Sequence, residues 1–573
     1  MQTKTPSVDR RNLLKLGISA AAISVYPAAA QQGKSTGVSH RQVASKVLFT
    51  GIEGTIVETE SGKVRGYRRG ETFTFKGIPY GAPTSSKNRF AAPLKPQPWT
   101  GVRSCLSWGP TTPDGFGIIE PDSRPPWGDQ DAFVLYRGYE RSLGSEDCLR
   151  LNIWTPQTGS GRRAVMVYMH GGGFSGGSGN DLQCYDGAAL AESQNVVVVT
   201  HNHRLNAFGF LDLTDIDAER FKDSANAGML DNLAVLQWVK SNIAQFGGDP
   251  NRVMIFGQSG GGGKVNCLMA MPGAKGLFHS AAVQSGSILR VAEQQDSQRV
   301  AAAFLKEIGI SRSNASNLES VSTQDIVAAA SRAIAKLVPP PGSRGLPSFR
   351  GPLPGWSPTL DGINIPVHPC DPRSPEFSAD VPIIVGTNQH EFVNGVDNPE
   401  VDSLTEDEVV QRLQHVHVED AARVLTAYKK VHPKSNAFGL WADIAASGVR
   451  SAAFTQSLRK SELRRAPAYA YVYAWRTPVL TGKLGTFHSA EITMVFNNAA
   501  SCDRYTGGGA EALRLSAQMS SAWAALAKSG SPQHPELPVW PAYESSRKAS
   551  MRFDGDCKVE HDYEGEGLAL LSR

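Results

Sequence analysis

The stretch RVMIFGQSGGGGKVNCLMAM, residues 252–271, passes from an apolar, strand-like run through clustered glycines into a sequence of helical character. Read as strand, turn and helix, it puts Ser259 at a strand end with a helix starting behind it. Gly257 and Gly261, two residues to either side, remove the side chains that would crowd so tight a turn. A serine held there can act as a nucleophile, and the helix N-terminus favours the negative charge that develops beside it. The Gly-x-Ser-x-Gly pattern recurs as GFSGG at 173–177, and in a chain with 57 glycines a bare match is expected about once by chance. Context separates the two copies. GFSGG continues into a polar, glycine-rich loop with no helix behind it, so Ser175 lacks the setting of a nucleophile. His170-Gly171-Gly172-Gly173 follows an apolar strand, and its missing side chains let backbone N–H groups approach a substrate oxygen.

Outward from this turn, short apolar runs alternate with helical stretches. RRAVMVYMH (162–170), NVVVVTHNHRL (195–205), RVMIFG (252–257), VPIIVG (381–386) and AYAYVYAW (468–475) read as buried strands. Between them, residues 226–246 carry Met229, Leu230, Leu233, Leu236, Val239 and Ile243 at helical spacing. Near-continuous strands separated by helices imply an α/β fold, a mostly parallel sheet covered on both faces. The Pro- and Gly-rich segment 337–355 reads as a loop within one large domain, because the motifs straddle it.

Composition excludes several classes. With 40% hydrophobic and 20% charged residues the 573-residue chain is globular rather than disordered. Its formal charge of +4 comes mainly from residues 1–30, where Lys4, Arg10, Arg11 and Lys15 stand against Asp9. No basic face for nucleic acid is therefore expected. The same thirty residues run from Arg10-Arg11 through an apolar stretch, Leu13 to Tyr26, to Ala28-Ala29-Ala30. That is the layout of a secretory signal, too short and too interrupted by Lys15 for a stable membrane anchor. The string RRNLLK (10–15) resembles the twin-arginine export signature of bacteria, which implies a periplasmic or secreted protein. The domain reading is thus a signal over 1–30, a short leader over 31–50 and one α/β domain over 51–573. Seven cysteines, at 105, 148, 184, 267, 370, 502 and 557, form no C-x-x-C pair and suggest neither a disulfide scaffold nor a metal site. His201-Asn202-His203 and His415-Val416-His417 look metal-like by composition alone, and no metal or cofactor is expected. Oligomeric state is not readable.

FKGIPYGAP (75–83), RFAAP (89–93), SEDCLRLNIWTP (145–156), HGGGFSGGSG (170–179), HRLNAFGFL (203–211) and the long run 226–262 occur in this order. On these segments the chain resembles the type-B carboxylesterases and cholinesterases of the α/β-hydrolase fold, from about residue 55 to about 545. The resemblance implies a serine hydrolase of small-molecule carboxylic esters that works through an acyl-enzyme. It assigns the acid to Glu391, in GTNQHE (386–391), and the base to His488, in GTFHSAE (485–491). The chain order Ser259, Glu391, His488 is the one expected of this fold. The oxyanion donors would be the N–H groups of Gly172, Gly173 and Gly260. An amidase or peptidase with the same triad stays open as an alternative, as does a non-catalytic, adhesion-type relative.

Three departures from the family pattern stand out. Gln258 replaces the usual glutamate beside the nucleophile; in cholinesterase relatives that glutamate joins a buried network whose partners correspond to Ser285 and Glu491. Glutamine cannot support an imidazolium by charge, so a lower apparent pKa for His488 and a disfavour for cationic substrates are expected. Gly260 replaces alanine, and the expectation is either a pocket wider by a methyl group or a neutral exchange. Thr112 stands where relatives carry the cysteine that pairs with Cys148, leaving Cys105 as the nearest substitute. In relatives the segment 111–144 borders the gorge, which makes Phe116, Trp127 and Tyr136 candidates for shaping substrate entry, although simple packing of these aromatics is the favoured reading.

Overall fold

A computed structural model describes residues 47–114, 134–135, 142–337, 346, 351, 355–393 and 395–572. Residues 1–30, nearly all of the leader at 31–50, most of the 337–355 segment, and Phe116, Trp127 and Tyr136 lie outside the described residues.

Twelve strands form the central sheet: β1 (Leu48–Phe49), β2 (Tyr67–Arg69), β3 (Thr72–Pro79), β4 (Arg150–Thr155), β5 (Gly159–Met169), β6 (Val197–His201), β7 (Phe246–Gln258), β8 (Ser280–Gln284), β9 (Ile383–Asn388), β10 (Ala468–Tyr473), β11 (Ala549–Phe553) and β12 (Lys558–His561). Their order across the sheet is β1-β2-β3-β4-β6-β5-β7-β8-β9-β10-β11-β12. From β6 to β11 every neighbouring pair is parallel; the flanking pairs are antiparallel. A parallel sheet needs cover on both faces, and alternate residues show it. Val165, Val167 and Met169 of β5 join one hydrophobic cluster with Val235, Leu236 and Leu268. Met166 and Tyr168 join the other, with Leu515, Met519 and Trp523. The first cluster holds helices α1 (Ala227–Asn242) and α2 (Gly260–Ala270); the second holds α4 (Ala510–Ser529). Helix α3 (Ser447–Glu462) packs against β9 and β10.

The elements depart from the sequence expectations at their ends. Helix α1 stops at Asn242 and a 3-10 turn, Ile243–Gln245, leads straight into β7 at Phe246, six residues before the expected strand. Strand β6 ends at His201, because Arg204 turns back to Asp231 of α1. Strand β8, SAAVQ, lies outside the strands expected from the sequence, because its small residues carry little strand signal. No helix among the described residues is long and apolar enough to cross a membrane.

Candidate active site

Five neighbouring parallel strands, β5, β7, β8, β9 and β10, send the candidate residues out from their carboxyl ends, where open α/β sheets place their sites. Strand β5 leads into His170–Gly173, β7 into Ser259, β8 into Ser285 and β9 into Glu391; the segment after β10 carries His488.

Ser259 has φ 57° and ψ −126°, a left-handed backbone uncommon for a residue with a side chain. The turn is pinned by the Ser259 N–H on Gln284 O at 2.8 Å. It is also very close-packed, since a Cβ on Gly261 would lie 2.0 Å from Met169 O. Helix α2 is buried along its whole length, so the elbow rests on a rigid support. Ser175, by contrast, is exposed in a turn closed by its N–H on Gly172 O, 3.3 Å away.

Glu391 is fully buried, and its two oxygens have separate tasks. Oε1 accepts from Ser285 Oγ at 2.8 Å and from the Asn388 N–H at 2.9 Å. Oε2 meets His488 Nδ1 at 2.5 Å. A parallel bridge between Glu391 and Phe487 joins the two loops, and the Glu391 N–H donates to Thr486 O at 3.2 Å. With Nδ1–H given to the carboxylate, Nε2 of His488 is left as the basic atom. That Nε2 is buried and has no protein partner among the described residues.

The oxyanion candidates lie against the elbow. Gly172 and Gly173 have φ 90° and 62°, and a Cβ on Gly172 would fall 2.3 Å from Gly176 O. The N–H groups of Gly172, Gly173 and Gly260 donate to no protein acceptor among the described residues. Three donors of this kind without partners are what an incoming anion requires.

The departures take on physical content. At Gly260 the expected wider pocket is absent: a Cβ there would sit 2.2 Å from Gly173 O and 2.4 Å from its Cα. The Gly173 backbone occupies the room that a methyl group on residue 260 would need. Of the expected network of Gln258, Ser285 and Glu491, Gln258 bonds elsewhere, while Asn388 joins the other two. Gln258 Nε2 donates to the backbone oxygen of His488 at 3.3 Å and its Oε1 accepts from Ser489 Oγ at 3.4 Å, while Ser285 serves Glu391. Glu491 accepts from Asn388 Nδ2 at 2.6 Å and from Gln284 Nε2 at 3.5 Å. Burial, followed by the charge of Glu391, pushes the Glu491 carboxyl up to about 7. Cys105 and Cys148 are both unpaired, and Thr112 Oγ1 lies 3.4 Å from the Cys148 sulfur.

Phe392 was not anticipated. It is 51% exposed and its ring lies 4.2 Å from the His488 ring, tilted by 34°, so it covers the imidazole. Its only signal in the sequence is its place directly after Glu391. Of the metal-like pairs, His201 and His203 are buried and His201 Nε2 contacts Asn232 Oδ1 at 3.0 Å, while His415 and His417 are exposed. Elsewhere His432, Asp443 and Glu564 bring one ligand atom each within 4.8 Å of one another. There Arg450 already ion-pairs Glu564, and His432 Nε2 lies 2.7 Å from the same carboxylate.

The carboxylesterase family model matches residues 53–570. The chain is 31% identical to the para-nitrobenzyl esterase of Bacillus subtilis (strain 168) over 520 residues, 89% of this chain and 97% of that one. It is 32% identical to the fumonisin B1 esterase of Sphingopyxis macrogoltabida, covering 89% of this chain and 88% of the relative. Among solved structures, a polyester-hydrolysing esterase of Clostridium hathewayi aligns with a TM-score of 0.77 at 30% identity, over 92% of this chain and 99% of that one.

Proposed function

The chain belongs to the carboxylesterase family and is a carboxylic ester hydrolase of the α/β-hydrolase fold, and from that premise we propose that Ser259, His488 and Glu391 are its catalytic triad. The reading rests above all on the 2.5 Å contact between Glu391 and His488, two strand ends away from the strained turn at Ser259. His488 Nε2 takes the Ser259 hydroxyl proton as Oγ attacks the ester carbonyl, and Glu391 holds the ring and stabilises its cation. The N–H groups of Gly172, Gly173 and Gly260 receive the oxyanion, each worth about 3 kcal/mol of barrier. His488 then protonates the departing alcohol, and water, activated by the same imidazole, releases the acid from Ser259.

The test is hydrolysis of p-nitrophenyl acetate and of the matched p-nitroanilide by the wild type and Ser259→Ala. The wild type is expected to cleave the ester at least about 100-fold faster than the anilide, and the alanine variant to lose on the order of 10³-fold or more. Comparable rates on both substrates would favour the amidase reading. An active Ser259→Ala would overturn the site.

We also propose that residues 1–30 export the protein through a twin-arginine route to the periplasm or beyond. The RRNLLK string supports this, and seven unpaired cysteines fit a chain that folds in a reducing compartment before it crosses. Replacing Arg10 and Arg11 together by lysine is expected to retain esterase activity in the cytoplasmic fraction of a bacterial host. Unchanged export would refute the route.

A further inference from the structure

Lys264 lies five residues after the nucleophile and is completely buried. Burying an ammonium is costly unless a partner compensates it, and a carboxylate is the usual partner. None of the described carboxylates forms an ion pair with Lys264. Its Nζ instead donates to two backbone carbonyls, His170 O and Gly173 O, each at 2.9 Å. These are the first and last residues of the His-Gly-Gly-Gly loop. The Phe174 ring, 5.5 Å from Nζ, adds a cation–π contact. Burial lowers the amine to about 7, and two N–H donors remain in either protonation state, so both bonds survive its titration.

A second observation concerns the same loop from the other side. The Gly173 backbone fills the position a Cβ on Gly260 would need, with Gly173 N 2.5 Å from it. The loop is thus drawn down by Lys264 onto a helix whose first residue has no side chain. The N–H groups of Gly172 and Gly173, residues that lack a Cβ to restrict the backbone and adopt positive φ, lie between the two anchored carbonyls.

We propose that Lys264 is the positioning residue of the oxyanion loop, tying both ends of His170–Gly173 to the nucleophile helix, and that Gly260 provides the space in which the loop is seated. Lys264 touches no reacting atom; it acts through the orientation of the Gly172 and Gly173 N–H groups. The proposal rests on the triad and oxyanion assignments given above.

The test combines steady-state kinetics on p-nitrophenyl acetate with inhibition by an aryl trifluoromethyl ketone, which adds to the serine and leaves an oxyanion in the hole. Loss of one oxyanion donor typically costs 10²–10³-fold, so a loosened loop should cost about 10–100-fold in kcat. Lys264→Met is expected to show that loss with KM within about threefold, and the ketone should bind weaker by a similar factor. Lys264→Gln, which keeps two N–H donors, should restore activity to within about tenfold of the wild type. Gly260→Ala is expected to reduce kcat and ketone affinity with Lys264 intact, which keeps the proposal testable if the methionine variant does not fold. Losses in Lys264→Met and Gly260→Ala should combine less than multiplicatively, because both displace one loop. Wild-type kcat and ketone affinity in Lys264→Met, or in Gly260→Ala, would overturn it. An inactive Ser259→Ala beside an unaffected Lys264→Met would refute the tether alone; an active Ser259→Ala would remove the assignments beneath it.

Discussion

Gln258 meets the imidazole residue only through its backbone, donating to His488 O, and it is 1% exposed. A glutamate at this position loses that donor and turns a carboxylate oxygen towards a carbonyl oxygen. If it ionises there, its charge lies beside His488 and favours the protonated ring. Gln258→Glu is therefore expected to move the acidic limb of kcat/KM to higher pH by about one unit, with a lower kcat from the lost hydrogen bond. A pH–rate profile with an unmoved acidic limb would show that position 258 is not electrostatically coupled to the base. At this scale the sequence was informative wherever a backbone motif marks a role. Ser259, Glu391 and His488 each sit in a short local pattern, and the structure brings the last two into contact. Roles that depend on distant parts of the chain stayed hidden: Lys264 reads as an ordinary helix lysine, and the effect of Gly260 depends on Gly173, far away in sequence.

Several of the segments that signal the family turn out to be halves of buried ion pairs between elements. Arg204, just beyond β6, binds Asp231 of α1 through two side-chain bonds of 2.8 and 2.7 Å, and its own N–H donates to the same carboxylate. Arg89 of RFAAP pairs in the same way with Glu146 of SEDCL. Such partners cannot be matched from periodicity, so the segments were recognisable while their reason was not. Strand β8 gives little sequence signal for a different reason, since its serine and alanines have weak strand preference. Removing one partner of a buried pair leaves the other charge uncompensated, at a cost of about 3–5 kcal/mol. Asp231→Ala is expected to lose that much in urea unfolding, and a second change, Arg204→Met, to recover part of it. A loss below about 1 kcal/mol would mean that the pair does not hold α1 to the sheet.

Across the whole molecule, the order of strands decides where the chemistry can occur. Ser259, Ser285, Glu391 and His488 are separated by up to 229 positions along the chain, yet they leave adjacent strands β7 to β10 at one edge. The alternation of strand and helix made this parallel architecture legible in the sequence, whereas the antiparallel strands on either flank carried too weak a pattern to be read. On the proposed triad, Ser259, and not the exposed Ser175 of the twin motif, is the site of covalent chemistry. Diethyl p-nitrophenyl phosphate traps such a serine as a stable phosphoryl ester, which peptide mass spectrometry locates. About one adduct per chain is expected, on the peptide containing Ser259, and none in Ser259→Ala. An adduct on Ser175, or equal labelling of the alanine variant, would contradict the proposed triad.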